Sequence, residues 1–156
     1  MRKVWALRGQ RPLATNHTRY EWLYVYGFAR PATGQTYWLI LPTVNAQAMS
    51  VALAEFARDV GAGAEKQIVL VLDQAGWHTS HEVVVPVGVE LVALPAATPE
   101  LQPAERLWPL VREAVANQAF ATLDALEDTL VERCLQLAAQ PTVIQHATNY
   151  HWLPAT

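Results

Sequence analysis

The chain has 156 residues, 52% of them hydrophobic and 16% charged, with a formal net charge of −3 and one cysteine. That length fits a single domain, residues 1–156, able to bury roughly two thirds of its unfolded surface. The composition excludes a disordered chain, the short apolar runs exclude a membrane span, and one cysteine excludes an internal disulfide. No charged leader runs into an apolar segment at the start, so the cytoplasm is the expected location.

Charge is distributed unevenly. Residues 1 to 30 carry six basic side chains against Glu21 alone, 6 − 1 = +5, and the remainder carries five against thirteen acids, 5 − 13 = −8. Arg2, Lys3, Arg8 and Arg11, with Trp5, Tyr20 and Trp22 nearby, suit a phosphate backbone. The plainer reading is a solvated basic hairpin.

In chain order, Glu21 to Ala29 (EWLYVYGFA) and Thr36 to Leu41 (TYWLIL) flank the turn-forming RPATGQ and pair as an antiparallel hairpin. Asn45 to Val60 follows as a helix: Asn45 caps it, Met49, Leu53, Phe56 and Val60 form one stripe, and Gly61 ends it. Gln67 to Asp73 (QIVLVLD) is apolar on both faces, as a central strand covered on each side would be, and Val89 to Leu94 is a second such strand. Pro95, Pro99, Pro103 and Pro109 stiffen the next loop, and Pro109 requires a helix to start or kink near Trp108. Helical segments are expected from Trp108 to Ala119 and from Leu123 to Ala139, the latter capped by Thr122 with Leu123, Leu126, Leu130 and Leu137 on one side. The succession defines an α/β layer closed by one or two amphipathic helices.

Asp73 stands at the C-terminal end of a buried strand, where α/β sheets present their chemistry. Its structural alternative is a turn-capping Asp. Glu105 follows a stiff loop and opens a helix, so its carboxylate can return over the end of the Asp73 strand. Two hard carboxylates with open coordination positions suit Mg²⁺, and two such ions about 4 Å apart serve phosphodiester cleavage. The alternative for Glu105 is an acid favoured by the helix macrodipole, worth under about 1 kcal/mol. His78 and His81 lack a third zinc ligand at suitable spacing, so His78 reads as a neighbour of Asp73. There is no Gly-rich phosphate loop and no Gly-x-Ser-x-Gly elbow, and Cys134 falls on an apolar helix stripe as an inert thiol.

VLVLDQAGWHTS followed by VELVALPAATPELQPAERLW resembles the core of bacterial insertion-sequence transposases of the mariner superfamily. The shared features are a strand ending in Asp73, then Gln74 and His78, and a second strand leading through a Pro-rich loop to Glu105, Arg106 and Trp108. WALRGQRP, the GFARPATGQ hairpin and the closing helix extend the resemblance over nearly the whole chain. It implies an RNase H-like mixed sheet flanked by helices, DNA cleavage and strand transfer, and three carboxylates holding two Mg²⁺ or Mn²⁺ ions. Asp73 would be the second acid and Glu105 the third, with Gln74, His78, Gln102 and Arg106 beside them and Arg2, Lys3, Arg8 and Arg11 on DNA. The departures are an absent first Asp, whose central strand is expected to be missing with the upstream helix-turn-helix region, Gln102 where Asn is usual, and Ala104 where a larger aliphatic residue is usual.

The implied partners are DNA, as transposon ends and target, and a second copy or an upstream-frame fragment; the implied setting is the bacterial nucleoid. The expected function is a transposase-type endonuclease incomplete alone. The competing reading is a non-catalytic nucleic-acid-binding or assembly module, whose open strand edges would make it self-associate.

Overall fold

The computed structural model describes residues 21–150. Arg2, Lys3, Arg8 and Arg11, expected on DNA, lie outside the described residues.

β1 (Tyr24–Arg30) and β2 (Gln35–Leu41) form the expected hairpin, with Tyr24 opposite Leu41 and Arg30 opposite Gln35. The turn closes through Arg30, whose carbonyl accepts from the Thr33 and Gly34 amides at 3.1 and 2.8 Å. Gly34 has φ 72°, and a Cβ there would lie 1.8 Å from the Pro141 carbonyl oxygen, so both its backbone angle and its surroundings require glycine.

α1 (Ala46–Val60) follows. The Asn45 side chain accepts from the Ala48 amide at 2.8 Å, and Gly61, at φ 69°, closes the other end. The stripe buries Met49, Leu53 and Phe56. Phe56 stacks on Phe28 of β1 with ring centroids 4.4 Å apart and planes 6° from parallel.

β3 (Ile68–Leu72) and β4 (Val89–Ala93) pair in parallel, with Ile68 opposite Val89. Among the described residues the strands therefore form two two-stranded sheets, β1–β2 and β3–β4, that are not bonded to each other. α1 ties them together: Phe28, Met49, Ala52, Leu53 and Phe56 form one core, against which Tyr26, Leu39, Ile68, Leu70 and Leu91 pack.

The hairpin's alternation supplies a second core on its other face. Val25, Ala29, Trp38 and Ile40 pack there against Leu107, Val111, Leu130, Leu137 and Ile144. These come from α2 (Leu107–Glu113), α3 (Leu123–Ala138) and α4 (Pro141–Thr148). Thr122 caps α3 by accepting from the Ala125 amide at 3.2 Å. Arg133 of α3 reaches the Leu110 carbonyl of α2 at 2.9 Å.

Two expectations need correction. The strand at 67–73 is covered on one face, not two: Leu72 is 5% exposed, but Val69 and Val71, pointing the other way, are 61% and 43% exposed. The reason is reach, because α2, α3 and α4 pack on the hairpin and not on the β3–β4 pair. The helix expected from Trp108 to Ala119 starts at Leu107 and stops at Glu113, and Asn117 takes φ 61° in the turn that follows. Pro109 is accommodated in the first helical turn, where its missing N–H would have no partner. The closing region is two further helices, α3 and α4, with Pro141 opening the second. No helix among the described residues is long and apolar enough to cross a membrane.

Candidate active site

Asp73 is the first residue beyond β3, with its side chain about half exposed. Its Oδ1 accepts from the Ala75 amide at 3.0 Å, the turn-capping role that short Asp side chains favour. The same oxygen lies 2.6 Å from His78 Nδ1. A tight turn makes that contact local, because the His78 and Thr79 amides donate back to the Ala75 carbonyl at 2.8 and 3.2 Å. Trp77 meets the His78 ring edge-on, centroids 5.9 Å apart. Gln74 turns aside, donating to the Leu94 carbonyl at 2.9 Å, while the Leu94 amide donates to Leu72 at 2.8 Å. The ends of the parallel pair are thus pinned together under Asp73.

The chain between Leu94 and Glu105 is built from tight local turns. Ala97 has φ 58°, the Thr98 hydroxyl donates to the Pro95 carbonyl at 2.7 Å, and 3-10 turns occupy Pro99–Leu101 and Pro103–Arg106. The Glu105 amide donates to Gln102 at 3.0 Å, and its carboxylate accepts from Trp108 Nε1 at 3.3 Å. Trp108 is itself seated against the hairpin: a Cβ on Gly27 would lie 3.3 Å from the Trp108 ring and 2.7 Å from Trp38.

Asp73, His78, Gln102 and Glu105 line one cavity of about 580 Å³, together with Trp77, Trp108 and residues of β1 and β3. Gln74 and Arg106 are not in its lining. Arg106 instead donates to the Tyr150 hydroxyl at 3.0 Å and lies over that ring at 5.6 Å. His81 is exposed and does not join His78. Cys134 of α3 is buried, as expected, and burial pushes its thiol up to about 11.

Trp108 as the hydrogen-bond donor to Glu105, and Gly27 as the residue that makes room for it, were not read from the sequence. The Glu105-to-Trp108 spacing of three residues was the available signal, since it brings side chains together in a helical segment.

The carboxylates suit a hard divalent ion in part. Asp73 Oδ2 and Glu105 Oε2 carry no hydrogen bond among the described residues, leaving one hard oxygen available on each acid. No group of three or more His, Cys, Asp and Glu side chains is gathered closely enough to hold a metal ion, again among the described residues.

With an α/β core and two carboxylates on the wall of one cavity, the sequence matches the DDE superfamily endonuclease family over residues 1–127, and the chain belongs to that family. Members of the family generally use divalent metals. Among individual proteins, the chain is 35% identical over 132 residues to the uncharacterized protein y4pE/y4sA of Sinorhizobium fredii, covering 84% of this chain and 96% of that protein. Two solved structures are similar. The Mos1 transposase paired-end complex with left transposon end has a TM-score of 0.55 at 17% identity over 96% of this chain. The Mos1 strand transfer complex has a TM-score of 0.57 at 15% identity over 97%. In both cases the chain spans 51% of the matched chain's length. The likeness establishes an RNase H-like fold.

Proposed function

We propose that this chain is the carboxylate-bearing core of a transposase-type DNA endonuclease, in which Asp73 and Glu105 are metal ligands for phosphodiester cleavage and strand transfer. The observation that carries this reading is the shared cavity wall: in a chain of the DDE endonuclease family, Asp73 and Glu105 face the same space, each with a free oxygen. Bound Mg²⁺ or Mn²⁺ would activate the attacking water or 3′ hydroxyl and stabilise the leaving oxygen. The remaining roles belong to the protein. The Ala75 amide and His78 hold one Asp73 oxygen, which aims the other into the cavity. Trp108 does the same for Glu105. Gln102 lines the same cavity, Gln74 fixes the strand end, and Arg106 secures the loop through Tyr150.

The proposed substrate is DNA, as transposon ends and a target duplex, in keeping with the complexes named for the Mos1 structures. Arg2, Lys3, Arg8 and Arg11 are assigned to backbone phosphates. Among the described residues the cavity presents two carboxylates, so the reading makes residues 1–156 incomplete alone and dependent on a further acid.

The test is Mn²⁺ binding by paramagnetic resonance, run alongside nicking of supercoiled plasmid. Weak binding lost in both Asp73→Asn and Glu105→Gln, with little or no nicking by the isolated chain, is the expected result. Robust nicking abolished by Asp73→Ala would overturn the incompleteness. The second reading, favoured by a lining with two acids among the described residues, is a non-catalytic DNA-binding or assembly module. Lack of any Mn²⁺ binding would decide for it.

A further inference from the structure

Among the described residues, Arg58 pairs with Glu55 and Arg133 with Glu113. Arg106 is exposed and pairs with no carboxylate there. It is nevertheless held in place. Its Nε donates to the Tyr150 hydroxyl at 3.0 Å, and its guanidinium lies 5.6 Å from the centroid of that ring. Those contacts occupy one N–H and one face of the guanidinium, which leaves the four N–H donors of its two Nη groups on a planar fork. Tyr150 is carried to this place by α4, whose end is anchored by the fully buried Ile144 and Thr148 and by the Asn149 amide, which donates to the Gln145 carbonyl at 2.8 Å. Arg106 ends the 3-10 turn Pro103–Arg106, in which Glu105 directly precedes it, so the fork and the proposed metal ligand share one short element. Arg106 is nonetheless outside the lining of the cavity that holds Asp73 and Glu105. It stands beside the chemistry and not within it.

We infer that Arg106 is a phosphate clamp for the DNA strand that enters the cavity, and that Tyr150 is the positioning residue that presents it. The inference rests on the proposed function for the identity of its ligand. A guanidinium meets the two free oxygens of a phosphodiester with paired N–H donors. One already fixed by a hydrogen bond and an aromatic ring loses less side-chain freedom when the phosphate arrives. Next to Glu105 in sequence but outside the cavity, Arg106 serves a phosphate flanking the scissile one. It therefore sets where the strand lies and takes no part in breaking the bond. The competing role is a staple that joins the loop to α4, which would need the Tyr150 contact and no anion.

The test titrates the full chain against a short fluorescein-labelled DNA duplex by anisotropy, without divalent metal, over a range of KCl concentrations. The logarithm of affinity falls linearly with the logarithm of salt, by about 0.9 per phosphate contacted, so Arg106→Gln should make the slope shallower by about that amount. Arg106→Lys keeps the charge and loses the fork, so it should retain the slope and weaken binding roughly two- to tenfold. Tyr150→Phe keeps the ring and removes the acceptor, so it should weaken binding by a similar factor and have no further effect in the Arg106→Gln background. Melting temperatures separate the clamp from the staple. Lower melting temperatures in Arg106→Gln and Tyr150→Phe with an unchanged salt slope would overturn the inference. So would a Tyr150→Phe loss that persists undiminished in Arg106→Gln, or no binding of the duplex at any salt concentration. If Arg106→Gln does not fold, Arg106→Lys decides the matter, and an affinity equal to that of the unaltered protein counts against the clamp. An RNA duplex of the same sequence is the second arm: tighter binding to RNA than to DNA, lost in Arg106→Gln, would overturn DNA as the ligand. If the slope changes as expected but Mn²⁺ does not bind, the endonuclease reading fails while the clamp stands. If the slope does not change but Mn²⁺ binding is lost in Asp73→Asn and Glu105→Gln, the clamp fails while that reading stands.

Discussion

Gly27 bears on the position of Glu105 through Trp108. Its lack of a side chain admits the edges of Trp38 and Trp108, and Trp108 in turn donates to Glu105. Gly27→Ala must displace one or both indoles, a small-to-large change costing about 1–3 kcal/mol. Thermal unfolding should register that loss, and Mn²⁺ binding should weaken further than stability alone explains. Trp108→Phe keeps the packing and removes the donor, so it should weaken Mn²⁺ binding with a small change in melting temperature. Cys134 gives a prediction in pH. Burial raises its thiol from an ordinary value of 9.0 to about 11, so the folded state holds the proton more tightly than the unfolded chain does. That contribution to stability is complete below about pH 9 and is lost as pH rises toward 11. Denaturant midpoints should fall over this window, and Cys134→Ala should make the fall shallower. Burial also raises Tyr26, with Tyr24 adding to the effect, so some slope should persist in the variant.

At the scale of elements, β3 has two unequal faces. Leu72→Ala removes a buried side chain and should cost about 2–5 kcal/mol, whereas Val69→Thr alters an exposed one and should stay within about 0.5 kcal/mol. Chemical denaturation of the two variants checks the contrast. The sequence made the strand legible but not its environment, because IVLVL is equally apolar on both faces and nothing local records whether a layer covers each one. α1 was readable almost to the residue, since Asn45 and Gly61 are local signals that act within one turn. α2 was overextended because its end depends on a turn at Asn117, a residue that tolerates φ above zero without announcing it. At the candidate site, Asp73 beside His78 was legible from a separation of five residues. The partners of Glu105 and Arg106 were not, since Trp108 owes its place to Gly27 and Tyr150 comes from beyond α4, 44 residues after Arg106.

Over the whole molecule, the two sheets are unequally protected. Among the described residues, the hairpin is enclosed by α1 on one face and α2, α3 and α4 on the other, while the β3–β4 pair has α1 alone. Opening β3–β4 therefore exposes less apolar surface and should require less free energy. Native-state hydrogen exchange should show amides of β3 and β4 exchanging faster than those of β1 and β2. Equal rates would mean that the two sheets open as one cooperative unit.

The hairpin tip meets α4 twice. Gln145 donates to the Ala32 carbonyl at 2.7 Å, across 113 residues of sequence, and Gly34 sits against the Pro141 carbonyl. During synthesis the hairpin precedes α4, so until α4 is made the part of the β1–β2 face that it covers has nothing to pack on. Closure of that face is thereby tied to synthesis of α4: a ribosome that stalls before α4 releases a product whose hairpin tip is open to chaperones and proteases.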